Sequence, residues 1–139
     1  MKIYFSCSIT GGRADEKVYQ LLVSEMLHSG IEVPTAQLSE SGIVDLEKVV
    51  DPNEIFHRDM NWLKDCDAVV AEVSTPSHGV GYEIAIALTL GKPVLCCYRQ
   101  GRTISKIITG NDSPNLMVKE YANEEEVISY LQEFVSSLK

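Results

Sequence analysis

Ala68-Val69-Val70-Ala71-Glu72-Val73, followed after three residues by Ser77-His78-Gly79-Val80-Gly81-Tyr82-Glu83, decides the fold of this 139-residue chain. The first run is almost wholly apolar, as a buried strand reads. The second opens a helix that continues through Ile84, Ala85, Ala87 and Leu88. Gly79 and Gly81 allow the backbone to come close to a ligand. This reading places Glu83 in the first turn of the helix, at the carboxyl edge of the sheet, where open α/β sheets bind their ligands. A carboxylate there can act as nucleophile or base. It can equally do no more than complement the helix dipole. Position alone leaves both open.

Working outward, Lys2–Cys7 reads as a first strand and Asp15–Ser29 as a helix with Val18, Leu21, Leu22, Met26 and Leu27 at helical spacing. Gly30 ends that helix, and Ile31–Val33 is a short second strand. Residues 40–51 carry no clear period and read as a loop with some helical turn. Asp51 caps a helix that Pro52 begins. The third strand is Asp67–Val73, the next helix Val80–Leu90, and the fourth strand Lys92–Tyr98. A short helix over Thr103–Thr109, a fifth strand over Leu116–Lys119 and an amphipathic helix over Glu124–Leu138 complete the chain. Strands alternating with helices predict a doubly wound, five-stranded parallel α/β sheet, a flavodoxin-like or Rossmann-like sandwich. The length suits a single domain over residues 1–139.

The formal net charge of −8 argues against a nucleic-acid groove, which needs a basic face. No apolar run approaches the roughly 20 residues that span a bilayer. Met1-Lys2-Ile3-Tyr4-Phe5 begins directly as a strand without a signal-peptide pattern, so a cytoplasmic location is expected. The cysteines Cys7, Cys66, Cys96 and Cys97 form no C-x-x-C pair and read as structural thiols. No metal and no cofactor are expected, because His57 and its neighbours lack partners at ligand spacing.

Three constellations can carry chemistry. Ser6-Cys7-Ser8-Ile9-Thr10-Gly11-Gly12-Arg13 joins the first strand to the first helix. Such a turn offers backbone N–H groups to an anion, with Ser8 and Thr10 as hydroxyl donors and Arg13 as a bidentate clamp. It is neither the dinucleotide fingerprint nor a Walker loop, and a plain strand-to-helix turn explains it as well. The second constellation is His57-Arg58-Asp59-Met60-Asn61-Trp62, where Asp59 lies within an apolar-periodic segment. The third is Glu83 with Ser77. If Asp59 and Glu83 face one pocket, they form the carboxylate pair that cleavage at an anomeric carbon uses. Tyr4, placed at the end of the first strand, can orient the nucleophile.

The order of these features resembles the nucleoside 2-deoxyribosyltransferase-like superfamily, and within it the 2'-deoxynucleoside 5'-phosphate N-hydrolases. Tyr4, Phe5, Ser8, Ile9, Gly11, Gly12 and Arg13 match its opening strand and turn; Asp59, Trp62 and Leu63 match its helix motif. Val69–Val73 and Pro76–Glu83 match the strand and glycine motif, and Arg102 and Ser105 follow the fourth strand. The resemblance spans roughly Lys2 to Gly110.

It implies that Glu83 attacks the anomeric carbon of a deoxynucleotide to give a covalent sugar intermediate, that Asp59 assists proton transfer, and that Tyr4 holds Glu83. It further implies that the 5'-phosphate lies against Ser77 and the turn Ser8, Ile9, Thr10, Gly11, Gly12 and Arg13, with Cys7 and Gly79 also in the substrate site. In a homodimer, Ser105 would complete the neighbour's pocket. Gln37 lies in the loop on the base side. The chain departs from the family pattern at Cys7, where many relatives carry Gly, and at Thr10, where many carry Arg. Base exchange between deoxynucleosides, hydrolysis of ribonucleotides and a non-catalytic nucleotide-binding domain are the competing readings.

Overall fold

The computed structural model describes residues Met1–Lys139. Four strands, β1 (Ile3–Ser6), β2 (Ala68–Glu72), β3 (Val94–Arg99) and β4 (Leu116–Tyr121), pair in parallel in that spatial order. Six α-helices connect and cover them: α1 (Glu16–His28), α2 (Ile43–Lys48), α3 (Pro52–Asp65), α4 (His78–Thr89), α5 (Lys106–Thr109) and α6 (Glu124–Ser137). A 3-10 helix over Ala36–Ser39 precedes α2. No helix is long and apolar enough to cross a membrane.

The sheet is covered on both faces, which is why its central strands are apolar throughout rather than alternating. Ile3, Phe5, Val70 and Leu95 point to one face, where α1 and α6 bring Val18, Leu22, Leu131 and Phe134. Tyr4, Val69, Ala71 and Val94 point to the other, against Leu63 of α3 and Ile84 and Ala87 of α4. Each such large side chain contributes about 1.5–3 kcal/mol by leaving water.

Local chemistry sets the helix ends. The Asp51 carboxylate accepts from the Asn53 N–H at 2.8 Å, and Pro52 is the first residue of α3. Gly30, at φ +76°, takes the left-handed turn that stops α1.

One expected strand is missing. Ile31–Val33 contributes only an isolated parallel bridge between Lys2 and Glu32, so the sheet has four strands and not five. The Glu32 N–H donates to Met1 O at 3.1 Å and the Ile3 N–H to Glu32 O at 2.9 Å. The next rung needs an N–H from residue 34, and Pro34 has none. The Phe5 N–H turns instead to Thr35 Oγ1, at 2.9 Å.

A second difference bears on the site. The helix after β2 begins at His78, with Ser77 as its cap, so Glu83 lies in the second turn and not the first.

Candidate active site

Strand β1 and helices α3 and α4 bring a cluster of polar groups into the apolar layer. Tyr4 is the second residue of β1, not its end, and Ser6 lies two residues on, so both project to the same face. Tyr4 is fully buried and Ser6 is 1% exposed. Glu83 approaches from α4, and Asp59 from the neighbouring α3. Tyr4 Oη, Ser6 Oγ and Glu83 Oε2 are all buried without a hydrogen-bond partner. Buried polar groups are almost always satisfied, so three orphans in one cluster mark a place built for something other than packing.

Burial pushes the Glu83 carboxyl up to about 7. The Tyr4 hydroxyl opposes the rise, the charge of Asp59 adds to it, and Ser6 and Arg58 oppose it. Asp59 is itself raised by burial, against the pull of Arg58. Arg58 Nε donates to Asp59 Oδ1 at 2.8 Å and Nη2 to Glu47 Oε1 at 2.9 Å, while its guanidinium lies 4.9 Å above the Trp62 ring. Arg58 therefore ties α2 to α3 and holds Asp59 in place. Helix-dipole effects fade beyond the first turn, so the dipole no longer accounts for Glu83. The site offers two carboxyl groups from neighbouring helices, close enough for the charge of Asp59 to act on Glu83, and both biased toward the protonated form.

The turns after β1 and β2 interlock beside this cluster. A side chain at Gly11 would overlap the Pro76 carbonyl oxygen, and Gly12 sits at φ +128°. Ser8 is fully buried with an unpartnered Oγ, Ile9 packs against the core, and Thr10 is exposed. Cys7 is buried, its thiol pushed up to about 12 by burial.

Ser77 Oγ accepts from the Val80 N–H at 3.3 Å. A Cβ at Gly79 would stand 3.8 Å from Glu83 Oε1 and 3.9 Å from Ser77 Oγ, so the start of α4 brings these groups together. Gln37 is exposed on the 3-10 helix, next to Leu38.

Arg13 does not present a free fork to an anion. Its Nη1 donates to the carbonyls of Ser8 (3.0 Å) and Leu38 (2.9 Å), and its Nη2 to Glu40 O (3.1 Å) and Glu16 Oε1 (3.0 Å). In this arrangement Arg13 braces the turn.

A cavity of about 620 Å³ runs from Thr10, Gly11 and Ser77 along α4 to Ser105 and Ile107. Tyr4, Asp59 and Glu83 do not line it. Ser105 is exposed, stands at the cap position of α5 and makes no capping hydrogen bond there.

Some residues of this edge escaped the sequence reading. Ser6 stands in the turn that runs on to Arg13 without a role of its own there, though period two puts it beside Tyr4. Asp15 accepts from Thr75 Oγ1 (3.0 Å), Arg102 Nη2 (3.1 Å) and Arg99 Nε (3.4 Å), joining the turns after β2 and β3 to the start of α1. Glu72 is fully buried, with Ser74 and Tyr121 donating to its Oε1. A charged residue inside an apolar strand was the available signal.

Comparison with known proteins supplies the relatives of this arrangement. The nucleoside 2-deoxyribosyltransferase family model matches residues 3–127. The 5-hydroxymethyl-dUMP N-hydrolase of Rattus norvegicus is 41% identical over 128 residues, covering 88% of this chain and 78% of the relative. That of Tetraodon nigroviridis is 39% identical over 144 residues, covering 100% of both. Among solved structures, the CMP N-glycosidase of Clostridium botulinum superposes with a TM-score of 0.72 over 96% of this chain and 99% of its own. At 19% identity that likeness speaks for the fold alone.

Proposed function

The chain belongs to the nucleoside 2-deoxyribosyltransferase family, and from that premise we propose that it hydrolyses the N-glycosidic bond of 2'-deoxynucleoside 5'-monophosphates. The observation that carries this reading is the carboxylate pair itself: Glu83, with a buried unpartnered oxygen, lies within reach of the charge of Asp59. Relatives named as 5-hydroxymethyl-dUMP N-hydrolases support the choice of bond and substrate class.

In the proposed reaction a Glu83 carboxylate oxygen bonds to C1' as the bond from C1' to the base nitrogen breaks. The bonding pair leaves with the base, which takes a proton from Asp59. Water then attacks C1', its proton passes to Asp59, and the bond to Glu83 breaks, returning the carboxylate and releasing 2-deoxyribose 5-phosphate. The transition state carries oxocarbenium character, so an apposed carboxylate stabilises it. Burial suits Asp59 to carrying a proton between the two steps. Tyr4 steadies Glu83.

The 5'-phosphate takes the remaining subsite: Ser8, Thr10, the N–H groups of Gly11 and Gly12, Ser77 and the open backbone at Gly79. Arg13 serves this subsite by holding its turn in shape. Binding energy from the phosphate positions C1' against Glu83.

The chain works as a homodimer in this reading, with Ser105 of a second copy reaching the phosphate. The uncommitted Ser105 hydroxyl and the 83% exposed Ile107 on the wall of the cavity support that assignment. A cytoplasmic location completes the reading.

The test is incubation with the four deoxynucleoside monophosphates, 5-hydroxymethyl-dUMP and the ribonucleoside monophosphates, followed by chromatography for free base. Release by the wild type that vanishes in Glu83→Ala is the expected result. Silence across the panel with nucleotide binding intact would point instead to a non-catalytic binding domain.

A further inference from the structure

Ser6 heads the turn after β1 but has no role in the phosphate subsite, and its hydroxyl lies instead beside Glu83. Its neighbours on the same face of β1 and β2 are Tyr4, Val69 and Ala71, and apart from Tyr4 these are apolar. An alanine or valine at position 6 would suit that layer, whereas a buried hydroxyl left unpaired costs free energy. Ser6 is nevertheless buried, with its Oγ unpartnered.

The carboxylate oxygen Oε2 of Glu83 is in the same condition, as is the Tyr4 hydroxyl. The other carboxylate oxygen, Oε1, looks toward Gly79, where the missing side chain leaves room. The two oxygens therefore have different surroundings: Oε2 is buried without a partner, and Oε1 lies beside the exposed backbone at the start of α4.

We propose that Ser6 is a positioning residue: with Tyr4 it anchors Glu83 Oε2 by hydrogen bonding, leaving Oε1 as the oxygen that attacks C1'. This rests on the reading of Glu83 as nucleophile. Catalytic hydrogen bonds are often long in an empty site and tighten when substrate closes it, which accounts for hydroxyls that face the carboxylate without yet engaging it. The Ser6 hydroxyl favours the ionised carboxylate, as Tyr4 and Arg58 do, against burial and the charge of Asp59. Cys7, next along the chain, feels the Glu83 charge in turn.

The experiment follows the Glu83 carboxyl by carbon-13 NMR as a function of pH, which needs no turnover. It compares the wild type, Ser6→Ala, Ser6→Thr and Tyr4→Phe, with kcat and KM measured in parallel. Losing a donor to the charged form raises the titration midpoint, here by about one pH unit in Ser6→Ala. The acid limb of kcat moves up with it, and kcat near pH 6 falls about tenfold while KM changes by less than about twofold. Ser6→Thr keeps the hydroxyl and restores both readouts.

A midpoint unmoved by Ser6→Ala, in a protein whose midpoint does respond to Tyr4→Phe, overturns the assignment whether or not base is released. A midpoint that moves in a protein releasing no base upholds the Ser6–Glu83 contact and strikes the glycosidase reading instead.

Discussion

The carbonyl oxygen of Pro76 fills the space that a side chain at Gly11 would need. This contact locks the turn after β1 onto the turn after β2, and the two halves of the proposed phosphate subsite with it. Gly11→Ala forces backbone, not a flexible side-chain tip, to move, and Ser8 Oγ stands only 3.0 Å from the added carbon. The expected cost is about 1–3 kcal/mol of stability, with KM for nucleotide rising more than kcat falls. Gly81→Ala makes the control for stability: nothing lies within 4 Å of the added carbon, inside a helix. It should gain up to about 1 kcal/mol. Equal melting curves for the two variants would remove the locking role from Gly11.

Arg13 separates a brace from a clamp. Lysine keeps the charge but cannot reach the carbonyls of Ser8, Leu38 and Glu40 together with Glu16. Arg13→Lys is therefore expected to lower stability by about 2–4 kcal/mol in the absence of any ligand. An anion clamp would behave otherwise, raising KM while leaving thermal unfolding of the free protein unchanged. Calorimetry of the unliganded variant decides between them.

What the sequence disclosed and what it withheld divide along physical lines. The apolar runs of β1, β2 and β3 and the helical period of α1 and α6 were legible because burial on a known face dictates residue type. The cap at Asp51 was legible because its chemistry is local. The loss of the second strand was written in Pro34, though its weight depends on which N–H the next rung of the ladder requires. Asp59 and Glu83 could be named from the sequence. That one carboxyl feels the charge of the other could not, because two helices separated by a strand meet only in the folded sheet. Arg13 shows the reverse: its type suggested an anion, and only the carbonyls of residues far along the chain reveal where its donors go.

Glu72 makes stability depend on pH. Burial pushes its carboxyl up to about 7, against donors from Ser74 and Tyr121, while the charge of Asp15 pushes it further up. Its ordinary value is 4.5, so between these pH values the folded chain binds more protons than the unfolded one. Stability accordingly falls as pH rises through this window, with Glu83 acting in the same sense. For a buried group with a shift of this size the loss is on the order of 3 kcal/mol. Glu72→Gln removes the titration and keeps an acceptor for the two hydroxyls. Its unfolding free energy should exceed that of the wild type at pH 8 and differ little at pH 5. Parallel pH profiles for the two proteins would rule Glu72 out as the source.

Ser105 offers a test of the two-fold assembly that needs no structure of the dimer. If Ser105 of one copy serves the Glu83 of another, each of two variants carries a different half of every site. A dimer pairing a Glu83→Ala chain with a Ser105→Ala chain regains one intact site, because the intact Glu83 and the intact Ser105 lie on opposite chains and meet across the interface. Random exchange makes half of the dimers mixed, so a one-to-one mixture should recover about a quarter of wild-type activity at low substrate, above the mean of its parents. Ile107, exposed on the cavity wall in the single chain, supplies the second arm. Ile107→Asp places a charge in that apolar surface, and should yield a monomer by sedimentation and abolish the recovery. Activity that never exceeds the parental mean after subunit exchange would confine each site to a single chain.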